Sequence, residues 1–314
     1  MDHLKLTNIK SFKKDFIKVL PKLKKEKDLR VFLKKFKTEV RALGVKTLNK
    51  AWEHFPSPTE DVAEKIFFRP KQHEPNSEEE FWQRSAHKFK VKLPTSGKEI
   101  ICMKWGKGPS VLFIHGWAGR GTQFCKFIPF LEERGFSVVT FDAPSHGMSP
   151  SRTTNALEIL ESLTVVASVV GNIHALVGHS FGCCFALAGA SFLKIPKVIL
   201  FAPQFDAKAD LRKWVVDAGV KGDILDNILE GLEKKHQKRF EDFNPCDVGP
   251  RTKAFVLIFH DEHDKACKVE NSKKLVKKLD KGLLRITEGL GHNRILRDEK
   301  TVKEAILFLT KNRN

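Results

Sequence analysis

His174-Ala175-Leu176-Val177-Gly178-His179-Ser180-Phe181-Gly182 is the stretch whose reading decides the fold. His174–Val177 reads as a short buried strand, and Gly182–Leu193, rich in alanine, as a helix that follows at once. Between them, Gly178-His179-Ser180-Phe181-Gly182 fits the pattern G-x-S-x-G. A serine in that place is held on a tight turn at the strand's C-terminal edge. The flanking glycines are needed because such a turn brings backbone against backbone. The N-terminus of the following helix offers a positive dipole end to a developing oxyanion. Ser180 is therefore the candidate nucleophile.

Outward from this turn the pattern alternates between strand and helix. Lys88–Leu93 and Glu99–Trp105 read as a hairpin pair around Ser96-Gly97, and Val111–Ile114 as a short apolar strand. A helix is expected over Thr122–Arg134, a strand over Phe136–Phe141 and a helix over Asn155–Val170. After Gly182–Leu193 comes a strand at Lys197–Phe201. The alternation pauses over residues 203–249, which are polar and helical. It resumes with a strand at Ala254–Phe259, a helix over Val269–Leu279, a strand at Leu283–Thr287 and a last helix near Glu299–Leu309. Such alternation predicts an α/β fold with a mostly parallel sheet and helices on both faces.

Three further pieces sit at strand ends. His115-Gly116-Trp117 directly follows Val111–Ile114, and its glycine lets the backbone approach the nucleophile. The N–H groups of Trp117 and Phe181 would then form a two-donor oxyanion hole. Asp264 follows Ala254–Phe259 within His260-Asp261-Glu262-His263-Asp264. His292 follows Leu283–Thr287 within Gly289-Leu290-Gly291-His292. Both lie in loops at the C-terminal edge of the expected sheet, where parallel sheets present ligands.

With these pieces in the order Ser, Asp, His, the chain from about residue 98 to 311 resembles the α/β-hydrolase superfamily. It is similar to bacterial hydrolases that carry an H-G-W loop. Phe141-Asp142-Ala143-Pro144-Ser145-His146-Gly147-Met148-Ser149 resembles that family's D-x-P-G-H-G-x-S segment, and Asp264-Lys265-Ala266-Cys267 its D-x-x-V. Two departures stand out: Ser145 replaces the usual glycine, and Cys183 stands where a second glycine often follows.

The resemblance implies a catalytic triad of Ser180, His292 and Asp264 acting through an acyl-enzyme, with no metal and no cofactor. A serine nucleophile argues against chemistry that begins with attack by a carboxylate. Esters and thioesters are the expected small-molecule substrates, because their leaving groups depart easily; small amides and carbon–carbon bonds are the alternatives. Asp261, Glu262 and Asp206 are alternative acids. Residues 203–249 fall where the family inserts a lid. Leu211, Trp214, Val215, Ile224, Leu225, Ile228, Leu229 and Leu232 there line an acyl pocket or merely pack the lid on the core. The competing reading is a non-catalytic hydrolase-fold protein that binds a ligand or a partner.

The 314 residues leave room for an appendage to such a domain. Sixteen Lys and Arg against five Asp and Glu fall in residues 1–50, which thus hold eleven of the eighteen excess positive charges. The expected layout is a basic helical N-terminal extension and connector over 1–85 and a hydrolase domain over 86–314, with the insertion at 203–249. Apolar residues at Ile9, Phe12, Phe16, Leu20 and Leu23, then at Leu29, Phe32, Leu33, Phe36, Val40 and Leu43, mark two amphipathic helices. Docking on the hydrolase domain is the favoured role for them, and peripheral contact with an anionic membrane through residues 1–50 the alternative. No motif supports nucleic-acid binding. No apolar stretch reaches the ~18 residues of a membrane span. The N-terminus carries no secretory pattern, and six scattered cysteines suit a reducing compartment, so a cytoplasmic location is expected. The chain has no tyrosine and 25 phenylalanines, for which the sequence offers no reason.

Overall fold

A computed structural model describes residues 44–54 and 63–311. The amphipathic segments expected before residue 44 lie outside the described residues. The larger of two compact units comprises Lys65–Leu211 and Glu230–Asn314. It is built on eight strands: β1 (His87–Lys92), β2 (Glu99–Trp105), β3 (Ser110–Ile114), β4 (Ser137–Asp142), β5 (Ile173–His179), β6 (Lys197–Phe201), β7 (Phe255–Asp261) and β8 (Gly282–Thr287). Their order in the sheet is β1-β2-β4-β3-β5-β6-β7-β8. β2 runs antiparallel to β1 and to β4, and every other neighbouring pair is parallel. This is the α/β-hydrolase fold expected from the sequence.

Every residue of β3, β4 and β6 is buried, which is why Val111–Ile114 and Val198–Phe201 read as apolar runs rather than alternating ones. β8, at the sheet edge, holds no fully buried residue. Aromatic rings fill the space beside the central strands. Phe201 and Phe259 stack with ring centres 5.2 Å apart, and Phe127 meets Phe201 edge-on at 5.8 Å. A tyrosine at any of these three fully buried positions would need a partner for its hydroxyl.

Two elements differ from the sequence pattern. The helix expected over Thr122–Arg134 is instead a 3-10 stretch, Gly121–Phe127, followed by an α-helix, Ile128–Glu133. Pro129 lies in the first turn of that helix, where its missing N–H costs nothing; farther inside a helix it would break the ladder. The connector expected to be irregular over residues 56–80 contains helical residues 63–67 and opens the helix Ser77–Ser85. The Asn76 side chain accepts from Glu79 N, and Glu78, Glu79 and Glu80 occupy the first turn, where acidic groups complement the helix dipole.

Of the described residues, 44–54, 63 and 64 fall in the smaller unit with Arg212–Leu229, from the middle of the 203–249 insertion. Within it, Asn49 spans a turn: its Nδ2 donates to Gly219 O (2.9 Å) and its Oδ1 accepts from Lys221 N (3.0 Å). Lys221 pairs with Glu53 at 2.7 Å and Arg212 with Asp226 at 3.0 Å.

The helix after β5 begins under β3. A Cβ added at Gly182 would lie 2.2 Å from Ile114 O and 2.6 Å from His115 O. Both are backbone atoms that cannot rotate away. Alanine is favoured over glycine within helices by about 1 kcal/mol, so propensity alone makes Gly182→Ala stabilising. The clash reverses that sign. The substitution is expected to lower the thermal midpoint by several degrees, and an unchanged or raised midpoint in a thermal melt would contradict this packing.

Candidate active site

Ser180 leaves β5 with φ +52°, a left-handed conformation that a residue bearing a Cβ adopts at a cost. Backbone bonds on both sides hold it there: Ser180 N donates to Phe201 O (2.8 Å), and Cys183 N donates to Ser180 O (3.0 Å). A Cβ on Gly178 would meet Cys183 Cα at 2.7 Å, and one on Gly116 would meet the Ser180 Cβ at 2.9 Å. The glycines of the motif thus answer to close approach. Cys183, where a glycine was expected from the resemblance, is fully buried and donates to Phe201 O at 3.3 Å.

His292 stands in a short helix, Gly291–Arg294, reached from β8 by the turn at Gly289. Its Nδ1 donates to Asp264 Oδ2 at 2.7 Å. Asp264 Oδ1 accepts from Ala266 N (2.8 Å) and Cys267 N (2.9 Å). Burial pushes this carboxyl up. The bond from His292 and the two backbone donors outweigh that and hold it below the ordinary carboxylate value. A carboxylate accepting at Nδ1 fixes the proton there and leaves Nε2 as the basic atom of His292.

The alternative acids have other tasks. Asp261 accepts from His263 N (3.0 Å), Thr287 Oγ1 (2.9 Å) and Leu290 N (2.9 Å), which ties the loop before His292 to the end of β7. Asp206 accepts from Ala209 N (3.0 Å) and Asn244 Nδ2 (3.1 Å). Glu262 is exposed.

A relay that the motifs did not reveal runs behind the serine. His179 Nε2 donates to His292 O (2.9 Å), and its Nδ1 accepts from Gln123 Nε2 (3.0 Å). Burial first, then the neighbouring His292, lower His179 to about 3, so it is a neutral ring. It couples the backbone that carries His292 to the turn that carries Ser180. The one sequence signal was a histidine next to the serine.

The loop after β3 is held by two more neutral histidines. His115 Nδ1 donates to Gly116 O (2.8 Å), and its Nε2 accepts from Ala143 N (3.0 Å). His146 Nδ1 donates to Pro144 O (3.0 Å), and its Nε2 accepts from Ala118 N (3.0 Å). Burial lowers them to about 4 and about 3 respectively. Asp142 accepts from Gly121 N (2.7 Å) and Met148 N (2.8 Å), and burial raises it to about 6. Ser145 keeps the turn at φ +65°, so the serine preserves a glycine-like conformation there. Among the described residues, the N–H groups of Trp117 and Phe181 have no hydrogen-bond partner. The Trp117 ring stands edge-on to Phe181, with centres 6.4 Å apart.

Ser180, His292, Trp117 and His179 line one cavity of about 540 Å³, bounded also by His73, Glu74, Asn76, Arg120, Gln123, Arg294 and Arg297. Phe181 and Asp264 are not among its lining residues. Glu79, on the connector helix, is 3% exposed and also reaches this cavity. Its carboxylate pairs with Arg120 (2.7 Å) and with Arg297. It thereby ties the loop after Trp117 to the chain after His292. Glu79 was missed because a glutamate in a Pro- and Glu-rich connector looks like solvated surface.

The alpha/beta hydrolase family model matches residues 111–304, and the chain belongs to that family. A human serine hydrolase-like protein is 30% identical over 132 residues, which are 38% of this chain and 64% of that protein. The pimeloyl-[acyl-carrier protein] methyl ester esterase of Methylococcus capsulatus is 39% identical over 85 residues, 27% of this chain and 32% of that one. The chain thus spans less than two thirds of the length of these relatives. Among solved structures, an esterase of Pyrococcus furiosus superposes with a TM-score of 0.59 at 17% identity, over 77% of this chain and 96% of that one. That likeness is one of fold.

The buried histidines make stability depend on pH. Between pH 6.5 and about 4, His115, His146 and His179 are neutral in the folded chain and take up protons on unfolding, so stability rises with pH there. Asp142 acts oppositely, since between 3.8 and about 6 it is protonated when folded and loses that proton on unfolding. Three histidines against one aspartate leave a net uptake. Each uncompensated proton is worth about 1.4 kcal/mol per pH unit. Urea titrations at pH 7 and pH 5 are expected to show a loss of several kcal/mol at the lower pH. Equal stabilities would mean that these rings are not held neutral.

Proposed function

We propose that this protein is a serine hydrolase that cleaves a carboxylic ester or thioester through an acyl-enzyme. The observation that carries the reading is the 2.7 Å bond from His292 Nδ1 to Asp264, beside the cavity that Ser180 lines from a left-handed turn. In this reading His292 Nε2 takes the Ser180 proton as Oγ attacks the carbonyl carbon. Asp264 holds the imidazole in the required tautomer and stabilises the imidazolium. The negative charge on the former carbonyl oxygen falls to the Trp117 and Phe181 N–H groups, whose lack of other partners supports that role. The imidazolium then protonates the leaving alcohol or thiol, and water releases the acid by the same steps in reverse. In this reading the contact of Ser180 Oγ with Nε2 closes when substrate is bound.

The names of the relatives support ester chemistry in general terms. We assign catalysis to the region 86–314, with 203–249 as an insertion. Six free cysteines, Cys183 and Cys184 among them, suit a cytoplasmic location.

Ser180→Ala is expected to lower turnover of a p-nitrophenyl ester by about 10⁶ while leaving the circular dichroism spectrum unchanged. A fluorophosphonate probe should label the wild type at Ser180 and leave the variant unlabelled. Residual activity above a few per cent in a clean preparation would overturn the nucleophile assignment. Asp264→Asn should cost about 10⁴ in kcat, the order expected when the base loses its orienting carboxylate. A near-normal Asp264→Asn beside an inactive Asp261→Asn would move the acid to Asp261.

A further inference from the structure

The cavity at Ser180 offers little to a long acyl chain. The methylenes of such a chain gain from burial only where an apolar wall receives them. Here the large apolar side chains are Trp117, which is 36% exposed, and Leu296, which is 2% exposed and presents almost no surface. The other walls are small or polar residues, and three guanidinium groups stand among them: Arg120, Arg294 and Arg297. The carboxylates on the same walls are Glu79 and the exposed Glu74. Glu79 is already shared between Arg120 and Arg297.

Arg294 differs from the other two arginines. Its Nε donates to Leu290 O (3.0 Å) and its Nη2 to Gly289 O (2.6 Å). Carbonyl oxygens fix its guanidinium in place without neutralising it, and no carboxylate among the described residues pairs with it. A guanidinium held by two of its donors keeps others for a planar oxyanion. Arg294 is exposed to solvent and lines the same cavity as Ser180 and His292, so an anion bound there would share that cavity with the scissile bond. The cavity carries one guanidinium in excess of its carboxylates, which suits a monoanion better than a phosphate dianion.

We propose that the substrate is a short ester or thioester bearing a carboxylate, and that Arg294 binds that carboxylate. This rests on the ester-hydrolase reading given above. The same contact accounts for the choice of substrate: a neutral ester of equal length leaves the guanidinium with no anion to neutralise it.

Two matched pairs of esters test the proposal on the full chain. Monomethyl adipate and methyl hexanoate differ by a carboxylate at the far end of the acyl chain. Likewise, 5-acetoxypentanoate and pentyl acetate differ at the far end of the alcohol. In at least one pair kcat/KM is expected to favour the anionic ester by about tenfold or more, and Arg294→Ala should bring that ratio close to one. Arg294→Lys should restore part of it, since a lysine keeps the charge and loses the fork. Hydrolysis in which neither anionic ester is preferred, or a preference that Arg294→Ala leaves intact, overturns the proposal while the ester-hydrolase reading stands. Calorimetric titration of the Ser180→Ala chain with the same four compounds gives a readout that needs no turnover. Binding of an anionic ester that disappears in the Ser180→Ala, Arg294→Ala double variant, with no ester hydrolysed by the wild type, supports the anion site and overturns the ester reading. Absence of binding by both anionic esters, with no hydrolysis, overturns both.

Discussion

The close approach of two strand ends is the constraint on which the rest of this site depends. The turn after β5 passes so near the loop after β3 that Gly182 lies under Ile114 O and His115 O, and Gly116 lies against Ser180. No side chain fits at either place. That contact holds a serine at φ +52°. Left-handed strain of this kind persists because the surrounding sheet over-determines it. The N–H of Ser180 is tied to β6 through Phe201 O, and Ala202 is tied in turn to Phe259 O of β7. Rigid strands carry the strain, and the loops carry the chemistry.

Around that contact the loops are tied together by buried polar groups that are neutral or fully bonded. His115 and His146 each donate to a carbonyl of their own loop and accept a backbone N–H from the facing one. His179 does the same service between Gln123 and the backbone of His292. A buried charged ring would need a counter-ion, whereas a neutral imidazole is satisfied by one donor and one acceptor. Asp142 and Asp261 organise backbone N–H groups in the same way, and this occupation explains why Asp261 is not the partner of His292.

The connector before β1 contributes more than its composition suggests. Glu79 is carried inward by a short helix that Asn76 caps, and there it bridges Arg120 and Arg297. One carboxylate between two guanidinium groups joins the segment after Trp117 to the segment after His292. It leaves Arg294 as the cavity's guanidinium that no carboxylate among the described residues pairs with, and the proposal of an acidic substrate rests on that group.

The sequence by itself determined the parallel sheet, because strands buried on both faces appear as unbroken apolar runs and helices between them as three-four periodic ones. It also marked the turn at Ser180 through the glycines on either side, although the atoms that Gly182 must approach, Ile114 O and His115 O, are brought there by the fold. The resemblance of Asp264-Lys265-Ala266-Cys267 to a family segment favoured Asp264 over Asp261 and Asp206, but which N–H or ring nitrogen each acid meets was decided by the tertiary structure, because all three follow strands. The inward turn of Glu79, the Gln123–His179–His292 relay and the pairing of distant arginines were likewise decided in three dimensions. Each joins residues far apart in sequence, and neither helical nor strand periodicity records a contact made across that distance.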